Sequence, residues 1–149
     1  MEIVHTTGEN ADFAALIKLL DDDLNERYGQ FQKQYDVHNS TDNIKNVILL
    51  YIDGRPAACG AFKRCDAETI ELKRIFVAKE FRGRGLSKII VSKLEEAALA
   101  EGFRYAVLET GRRQYEAIGL YEKCGFETIP NYGVYEGNSN SICMKKKLL

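Results

Sequence analysis

The sequence predicts a mixed α/β fold, of the α+β type, in which helices pack on a mostly antiparallel central sheet. Two extended runs, Asn46–Ile52 and Pro56–Arg64, are joined by Asp53-Gly54, a two-residue pair typical of a tight hairpin. A third run, Thr69–Val77, alternates well enough to pair with the second. A strand–helix–strand–helix unit then follows this antiparallel meander.

The first part of the chain predicts a short strand near Glu2–Thr7 and a helix that begins after Asn10, a residue type favoured as an N-cap. Gly29 is placed to end this helix in a left-handed conformation. The polar stretch Gln30–Asn43 is compatible with a short helix or a loop. Apolar residues mark the first helix by their spacing at Phe13, Leu16, Ile17, Leu20 and Leu24.

A second helix separates Thr69–Val77 from a strand at Tyr105–Glu109. Because a long crossover joins these two strands, we expect them to be parallel neighbours. The helix ends at Gly102, and its apolar positions are Leu86, Ile90, Val91, Leu94, Ala97 and Ala98. The remaining predicted elements are a helix at Gln114–Cys124, which ends at Gly125, and strands at Phe126–Ile129 and Ser141–Lys147.

Composition is that of an ordinary globular protein. The 149 residues, 45% hydrophobic and 29% charged, predict a single domain over 1–149. The net charge of −1 argues against a broad nucleic-acid surface, and the longest apolar run, Val47–Ile52, is too short to cross a membrane. The sequence begins with no secretory signal, so we expect a cytoplasmic protein with reduced cysteines. The cysteine and histidine spacing predicts no metal site.

The segment Phe81–Lys88 has the composition of an anion-binding loop. It places two arginines and two glycines between a strand and a helix N-terminus. Free N–H groups and the positive dipole end there favour a phosphate or pyrophosphate. A glycine-rich turn with solvated arginines is the alternative. The P-loop pattern is absent, and Lys88 stands where a dinucleotide-binding fingerprint has its third glycine. Glu109, at the end of the next strand, still leaves a nucleotide-binding oxidoreductase as an alternative.

The predicted helix at Gln114–Cys124 carries the second motif. Gln114, Ala117 and Tyr121 fall at i, i+3 and i+7 and therefore share one face. Spacing alone favours Tyr121 as a core residue. Gly119 costs about 1 kcal/mol relative to alanine inside a helix, so we expect another group to pack closely against it.

The two motifs together resemble the GNAT superfamily of acetyl-CoA-dependent N-acetyltransferases. They are Arg82-x-x-Gly85-x-Ser87 after a strand and Ala117-x-x-Leu120-Tyr121-Glu122-Lys123-Cys124-Gly125-Phe126. The resemblance is specific over Glu71–Phe126 and follows the order of elements over nearly the whole chain. It implies a GNAT-like acyl-CoA N-acyltransferase fold with helices on both sheet faces, one N-acetyltransferase domain over 1–149, and acetyl-CoA (coenzyme A) as cofactor.

The resemblance also implies which residues bind the cofactor. The pyrophosphate would contact, mostly through backbone N–H groups, Arg82, Gly83, Arg84, Gly85, Leu86 and Ser87. The pantetheine arm would follow the strand edge at Ile75, Phe76 and Val77, beside Gln114, Ala117 and Tyr121. Ser87 stands where glycine or alanine is usual, and Gln114 where asparagine is frequent. Serine is small enough to be tolerated, whereas the longer Gln114 leaves its contact with the arm open.

The implied reaction is direct attack of an amine on the acetyl thioester in a ternary complex. An alkylamine has a pKa of about 10.4, so reaching its free base at pH 7 costs about 4–5 kcal/mol, and a carboxylate can take the proton. Glu71 stands at the strand position where several family members carry such a glutamate. Alternatively, Glu71 faces solvent or forms an ion pair across strands. Tyr121 would donate a hydrogen bond to the departing thiolate.

The acceptor is the least determined part of the site. The resemblance leaves open a small-molecule amine, an amino-acid-like substrate or a protein amine, and also a homodimer. Arg112, Arg113 and Arg74 could each bind a substrate carboxylate or be solvated, and the run Asp21–Asp23 favours a solvated helix face over a contact with a cationic amine. Substrate walls are expected from Tyr28, Phe31, Arg74, Thr110, Tyr132 and Tyr135. A coenzyme A-binding sensor module without catalysis is the alternative function.

Overall fold

The computed structural model describes residues 1–28 and 44–148, with the backbone alone for residues 27 and 28. The strands are β1 (Glu2–Thr6), β2 (Asn46–Ile52), β3 (Arg55–Arg64), β4 (Thr69–Val77), β5 (Tyr105–Gly111), β6 (Glu127–Ile129) and β7 (Ser141–Lys147). The helices are α1 (Ala11–Tyr28), α2 (Leu86–Ala100) and α3 (Tyr115–Lys123), with short 3₁₀ turns at Lys79–Phe81 and Gly133–Tyr135.

All seven strands form one sheet in the order β1-β2-β3-β4-β5-β7-β6. Only the β4–β5 pair is parallel among the pairs that the described residues form, and the other pairs are antiparallel. The predicted mixed, mostly antiparallel sheet is therefore confirmed, as is the parallel pairing across the crossover helix α2.

Helices cover both faces of the sheet. Along β3, Ala57, Ala58 and Cys59 are all fully buried, although successive residues of a strand point to opposite faces. Helices α1 and α2 both pack on β3 and β4. The core includes Phe13 from α1, Leu49 from β2 and Leu94 from α2.

Local sequence chemistry explains how several elements begin and turn. The Asn10 side chain accepts hydrogen bonds from the backbone N–H groups of Asp12 and Phe13 at 2.8 and 3.0 Å, which confirms it as the cap of α1. Asp53 and Gly54 both have positive φ, at 50° and 75°, which a two-residue type I′ hairpin requires. The expected stop at Gly29 and the stretch Gln30–Asn43 lie outside the described residues.

Strand β4 contains a bulge that sequence periodicity did not reveal. Cys59 pairs with Phe76 and Ala61 with Lys73, so β4 contains one more residue than β3 across this interval. Arg74, within the bulge, has φ of +59°, an uncommon value for a residue with a side chain. The Cys59 thiol donates a hydrogen bond to the Arg74 carbonyl at 3.3 Å.

Strands β4 and β5 separate halfway along β4. Their pairing runs from Thr69 with Tyr105 to Leu72 with Leu108, after which β4 continues to Val77 without a partner in β5. Strand β5 instead pairs along its whole length with β7, which extends it two residues beyond the predicted end at Glu109. The result is a wedge-shaped opening between neighbouring strands.

One packing expectation is wrong. A Cβ atom built on Gly119 would meet nothing within 4 Å, so no close neighbour accounts for this glycine among the described residues. Helix α3 is one residue shorter at each end than predicted, because Gln114 and Cys124 form its caps.

Candidate active site

A cavity of about 610 Å³ opens where β4 and β5 separate. This volume is in the range of small-molecule and cofactor sites. The residues predicted for cofactor binding that line it are Ile75, Phe76, Val77, Arg82, Gly83, Gly85, Leu86, Ser87, Gln114, Ala117 and Tyr121. Arg84 is not among the lining residues, and its guanidinium lies over the Phe81 ring, 5.4 Å from the centroid.

The loop at the wide end of the wedge leads directly into α2. Gly83 and Gly85 have φ of 81° and 74°, and a Cβ atom on either would meet nothing within 4 Å. The backbone conformation, not crowding, therefore requires glycine here. Helix α2 begins at Leu86, and its first three residues line the cavity. Backbone N–H groups of a first helical turn have no partner within the helix, so they suit an anionic ligand.

Helix α3 supplies one wall of the cavity. Gln114, Ala117 and Tyr121 all line it, so they share one face, as their spacing predicted. Tyr121 is 7% exposed, and its ring meets Phe126 edge-on at 5.9 Å. Burial raises the pKa of the Tyr121 phenol above its ordinary value of 10.0, and the nearby Cys124 adds to the shift. The hydroxyl therefore stays protonated at neutral pH and is suited to donate a hydrogen bond.

Glu71 is held by two polar contacts. Its Oε1 lies 3.3 Å from Nζ of Lys73, and its Oε2 accepts a hydrogen bond of 2.5 Å from the Tyr132 hydroxyl. The ion pair runs along β4, not across strands. Glu71 is not among the residues that line the cavity, but its partner Lys73 is. Its carboxylate would therefore act on a bound amine through an intervening group.

The acidic run on α1 is not simply a solvated face. Asp21 pairs with Arg74 at 2.9 Å, and Asp23 lies 3.7 Å from Arg82, whereas Asp22 alone is exposed. The expectation of a solvated run is therefore wrong for Asp21 and Asp23. Their spacing of two residues brings one carboxylate to the bulge of β4 and the other to the loop before α2, so α1 contacts both parts of the site.

The substrate candidates separate into three groups. Arg74, Thr110 and Tyr135 line the cavity, although Arg74 is already paired with Asp21. Tyr132 does not line it but packs edge-on against Tyr135, with ring centroids 5.5 Å apart. The side chain of Tyr28 and the whole of Phe31 lie outside the described residues.

Glu109 is a cavity-lining carboxylate that the sequence pointed to only for the oxidoreductase alternative, and not as part of an acetyltransferase site. Its Oε2 accepts a hydrogen bond of 2.6 Å from the Ser141 hydroxyl. Burial raises the pKa of Glu109 and the charge of Glu71 adds to this, while the Ser141 hydrogen bond and Lys73 lower it. Its place directly after the buried strand segment was the available indication, because ligands gather at the carboxyl ends of strands in α/β sheets.

Comparison with known families identifies this arrangement. The model of the Acetyltransferase (GNAT) family matches residues 13–126, well over half of the chain. The chain belongs to the GNAT acetyltransferase family. The match includes the loop before α2 and the Tyr121 helix, which are the two motifs that the sequence resemblance depended on.

Curated relatives match different shares of the chain. YyaT of Bacillus subtilis is 31% identical over 125 residues, which are 84% of this chain and 81% of YyaT. An N-acetyltransferase of Dictyostelium discoideum is 39% identical over 77 residues, or 51% of this chain and 35% of that protein. Several relatives are thus matched over about half of their length or less.

Solved structures share the fold over the whole chain. A protein of Klebsiella pneumoniae assigned as an acyl-CoA N-acyltransferase superposes with a TM-score of 0.83 at 26% identity, and covers 99% of this chain and 97% of its own. The PaiA N-acetyltransferase of Thermoplasma acidophilum, in complex with coenzyme A, gives 0.73 at 18% identity over 98% of both chains. The GNAT acyl-CoA N-acyltransferase fold predicted for this chain is therefore confirmed.

Proposed function

We propose that this GNAT chain, acting as one domain over 1–149, transfers an acetyl group from acetyl-CoA to a primary amine. One observation carries the proposal: a single cavity joins the anion-binding loop before α2, the open edge of β4 and the Tyr121 side chain. No helix in the described part of the chain is long and apolar enough to cross a membrane. The four free cysteines suit a reducing cytoplasmic setting.

The residues of the cavity fit acetyl-CoA. The loop with Gly83 and Gly85, together with the first turn of α2, offers backbone N–H groups to a pyrophosphate, and Arg82 adds a positive charge. The edge of β4 after Leu72 has no strand partner in β5, so its backbone can hydrogen-bond an extended amide-containing arm laid along Ile75–Val77. When bound, the cofactor supplies an acetyl group activated as a thioester.

Proton removal from the acceptor is assigned to Glu71. Because its carboxylate is not part of the cavity wall, we propose that it takes the proton through a water molecule in the space beside Lys73. The contacts with Lys73 and Tyr132 hold the carboxylate in one orientation. Tyr121 completes the proposal by donating its hydroxyl hydrogen to the sulfur on which negative charge develops. Its raised pKa favours a hydrogen bond over full proton transfer.

Two measurements on the purified chain test the function. Thermal-shift titration should show stabilisation by acetyl-CoA and coenzyme A, and a thiol-release assay should show turnover with some members of a panel of primary amines. Stabilisation without thiol release across the panel would favour the sensor module. A larger shift with NADH than with acetyl-CoA would favour the oxidoreductase alternative.

The role of Glu71 is tested by comparing two variants. Glu71→Gln should lower kcat roughly 100-fold at neutral pH, with less loss at high pH where free amine is abundant. Tyr132→Phe removes the hydrogen bond to Glu71 but keeps the carboxylate, so it should cost far less. If both variants lose activity equally at every pH, Glu71 acts by supporting the structure and is not the base.

A further inference from the structure

Glu109 stands at the narrow end of the wedge. Leu108 is the last residue of β5 that pairs with β4, and its partner is Leu72. The next residues, Glu109 on β5 and Lys73 on β4, are therefore the first to border the opening, and both line the cavity. The anion-binding loop follows the other end of β4, so the strand segment from Lys73 to Val77 separates that loop from Glu109. Glu109 thus lies where the end of an arm laid along β4 would meet an acceptor.

The charged side chains around Glu109 already form ion pairs with other residues. Lys73 pairs with Glu71, and on the neighbouring wall Arg74 pairs with Asp21. The contact of Glu109 is the hydroxyl of Ser141, which carries no charge. Lys73 is near enough to lower the pKa of Glu109, but its ion pair among the described residues is with Glu71, and burial outweighs its effect on Glu109.

A half-buried carboxylate in this situation favours a cationic ligand. Burial makes its ionised form unfavourable, as the raised pKa of Glu109 reflects. An ammonium ion would restore the lost stabilisation by a charge-assisted hydrogen bond. Tyr135 borders the same cavity, and negative charge on Glu71 and Glu109 adds to the burial that raises the pKa of its phenol. The surroundings of Glu109 therefore combine negative potential with an aromatic ring.

We propose that Glu109 binds the acceptor as its ammonium ion, and so selects primary amines that have no carboxylate beside the nitrogen. The inference rests on the proposed acetyltransferase function and adds the acceptor class. An α-amino acid would bring its own carboxylate close to Glu109, and two like charges at that distance repel. Glu109 is thus a specificity residue, whereas Glu71 remains the group that takes the proton.

The test compares Glu109→Gln with Glu127→Gln, which makes the same chemical change on an exposed position of β6. The acceptor probes are n-butylamine, 1,4-diaminobutane and glycine. The wild type should acetylate the two amines and discriminate against glycine. Glu109→Gln should raise KM for the amines about 10- to 100-fold with kcat changed less, and Glu127→Gln should leave both constants unchanged. Unchanged amine KM in Glu109→Gln, or equal use of glycine by the wild type, would overturn the inference.

A binding measurement separates this inference from the proposed function. Calorimetry of the coenzyme A-saturated protein with n-butylammonium, which cannot be acetylated while no acetyl-CoA is present, should show binding that Glu109→Gln weakens about 10- to 100-fold, while coenzyme A affinity stays the same. Glu109-dependent ammonium binding without turnover of any amine would contradict the acetyltransferase function and leave Glu109 as a cation-binding residue. Turnover of amines, with ammonium binding that does not depend on Glu109, would support the acetyltransferase function and contradict the role of Glu109.

Discussion

A Cβ atom on Gly60 would lie 2.5 Å from Cγ2 of Ile90 and 2.8 Å from Cδ1 of Leu94. Helix α2 therefore packs directly on the backbone of β3. Gly60 also lies between Cys59 and Ala61, opposite the bulge of β4. The missing side chain thus lets α2 approach the sheet, and the N-terminus of the same helix borders the cavity.

Gly60→Ala should destabilise the protein by about 1–3 kcal/mol, because an added methyl group in a tightly packed core displaces its neighbours. Urea denaturation followed by circular dichroism would measure the change. We also expect weaker coenzyme A binding in a calorimetric titration, since the displaced helix contributes N–H groups to the site. A variant with wild-type stability would show that Ile90 and Leu94 can move aside at little cost.

Gly119→Ala should have the opposite effect. The added Cβ atom would meet nothing within 4 Å, and alanine is favoured over glycine inside a helix by about 1 kcal/mol. The midpoint of urea unfolding should therefore rise, with coenzyme A affinity unaltered because Gly119 does not line the cavity. A loss of stability would mean that α3 needs glycine for a reason that its packing does not show.

The sequence predicted what depends on local chemistry. The Asp53-Gly54 hairpin, the Asn10 cap and the helix spacing of Gln114, Ala117 and Tyr121 are each properties of a few consecutive residues, and each was found. Family resemblance then implied the fold around them, including the separation of β4 from β5.

The features that sequence analysis missed come from contacts between distant residues. The bulge at Arg74 depends on pairing with β3, and the Glu109–Ser141 hydrogen bond joins residues 32 positions apart. Asp21 and Asp23 looked solvated because their partners, Arg74 and Arg82, lie in other elements. Periodicity describes one element at a time, so it could not show these pairs.

Asp23→Asn should tighten coenzyme A binding about two- to fivefold. Asp23 lies 3.7 Å from Arg82, and this ion pair is of modest strength because both side chains are partly exposed. If Arg82 binds the pyrophosphate as proposed, Asp23 would compete for the same guanidinium. Calorimetry at low salt would measure the affinity. Asp22→Asn is the matched control, since it removes the same charge from an exposed neighbour on α1. Equal gains in both variants would indicate a general charge effect instead of competition for Arg82.

Tyr121→Phe should lower kcat roughly 100-fold while leaving coenzyme A affinity close to that of the wild type. The ring stays in place against Phe126, so the variant removes only the hydroxyl hydrogen bond. Steady-state kinetics with a responsive amine, together with calorimetry, would separate the two quantities. Phe126→Leu, which alters the packing and keeps the hydroxyl, controls for movement of the helix. Full activity in Tyr121→Phe would exclude the hydroxyl from the reaction.

Glu109→Gln should stabilise the unliganded protein at neutral pH and not at acid pH. The folded-state pKa of Glu109 is raised above its ordinary value of 4.5, so the folded state holds this proton to higher pH than the unfolded state does. Stability is therefore lost as pH rises from about 4.5 through the raised pKa, and the full cost is present above it. Glutamine has no ionised form and escapes that cost, while its amide oxygen can still accept the hydrogen bond from Ser141.

Urea unfolding at intervals from pH 4 to pH 8 should show a gain in stability for Glu109→Gln that grows with pH, and no such trend for Glu127→Gln. A gain of constant size, or a loss at pH 8, would mean that the ionised carboxylate is adequately compensated before any amine arrives, and the reason for assigning it an ammonium ligand would disappear.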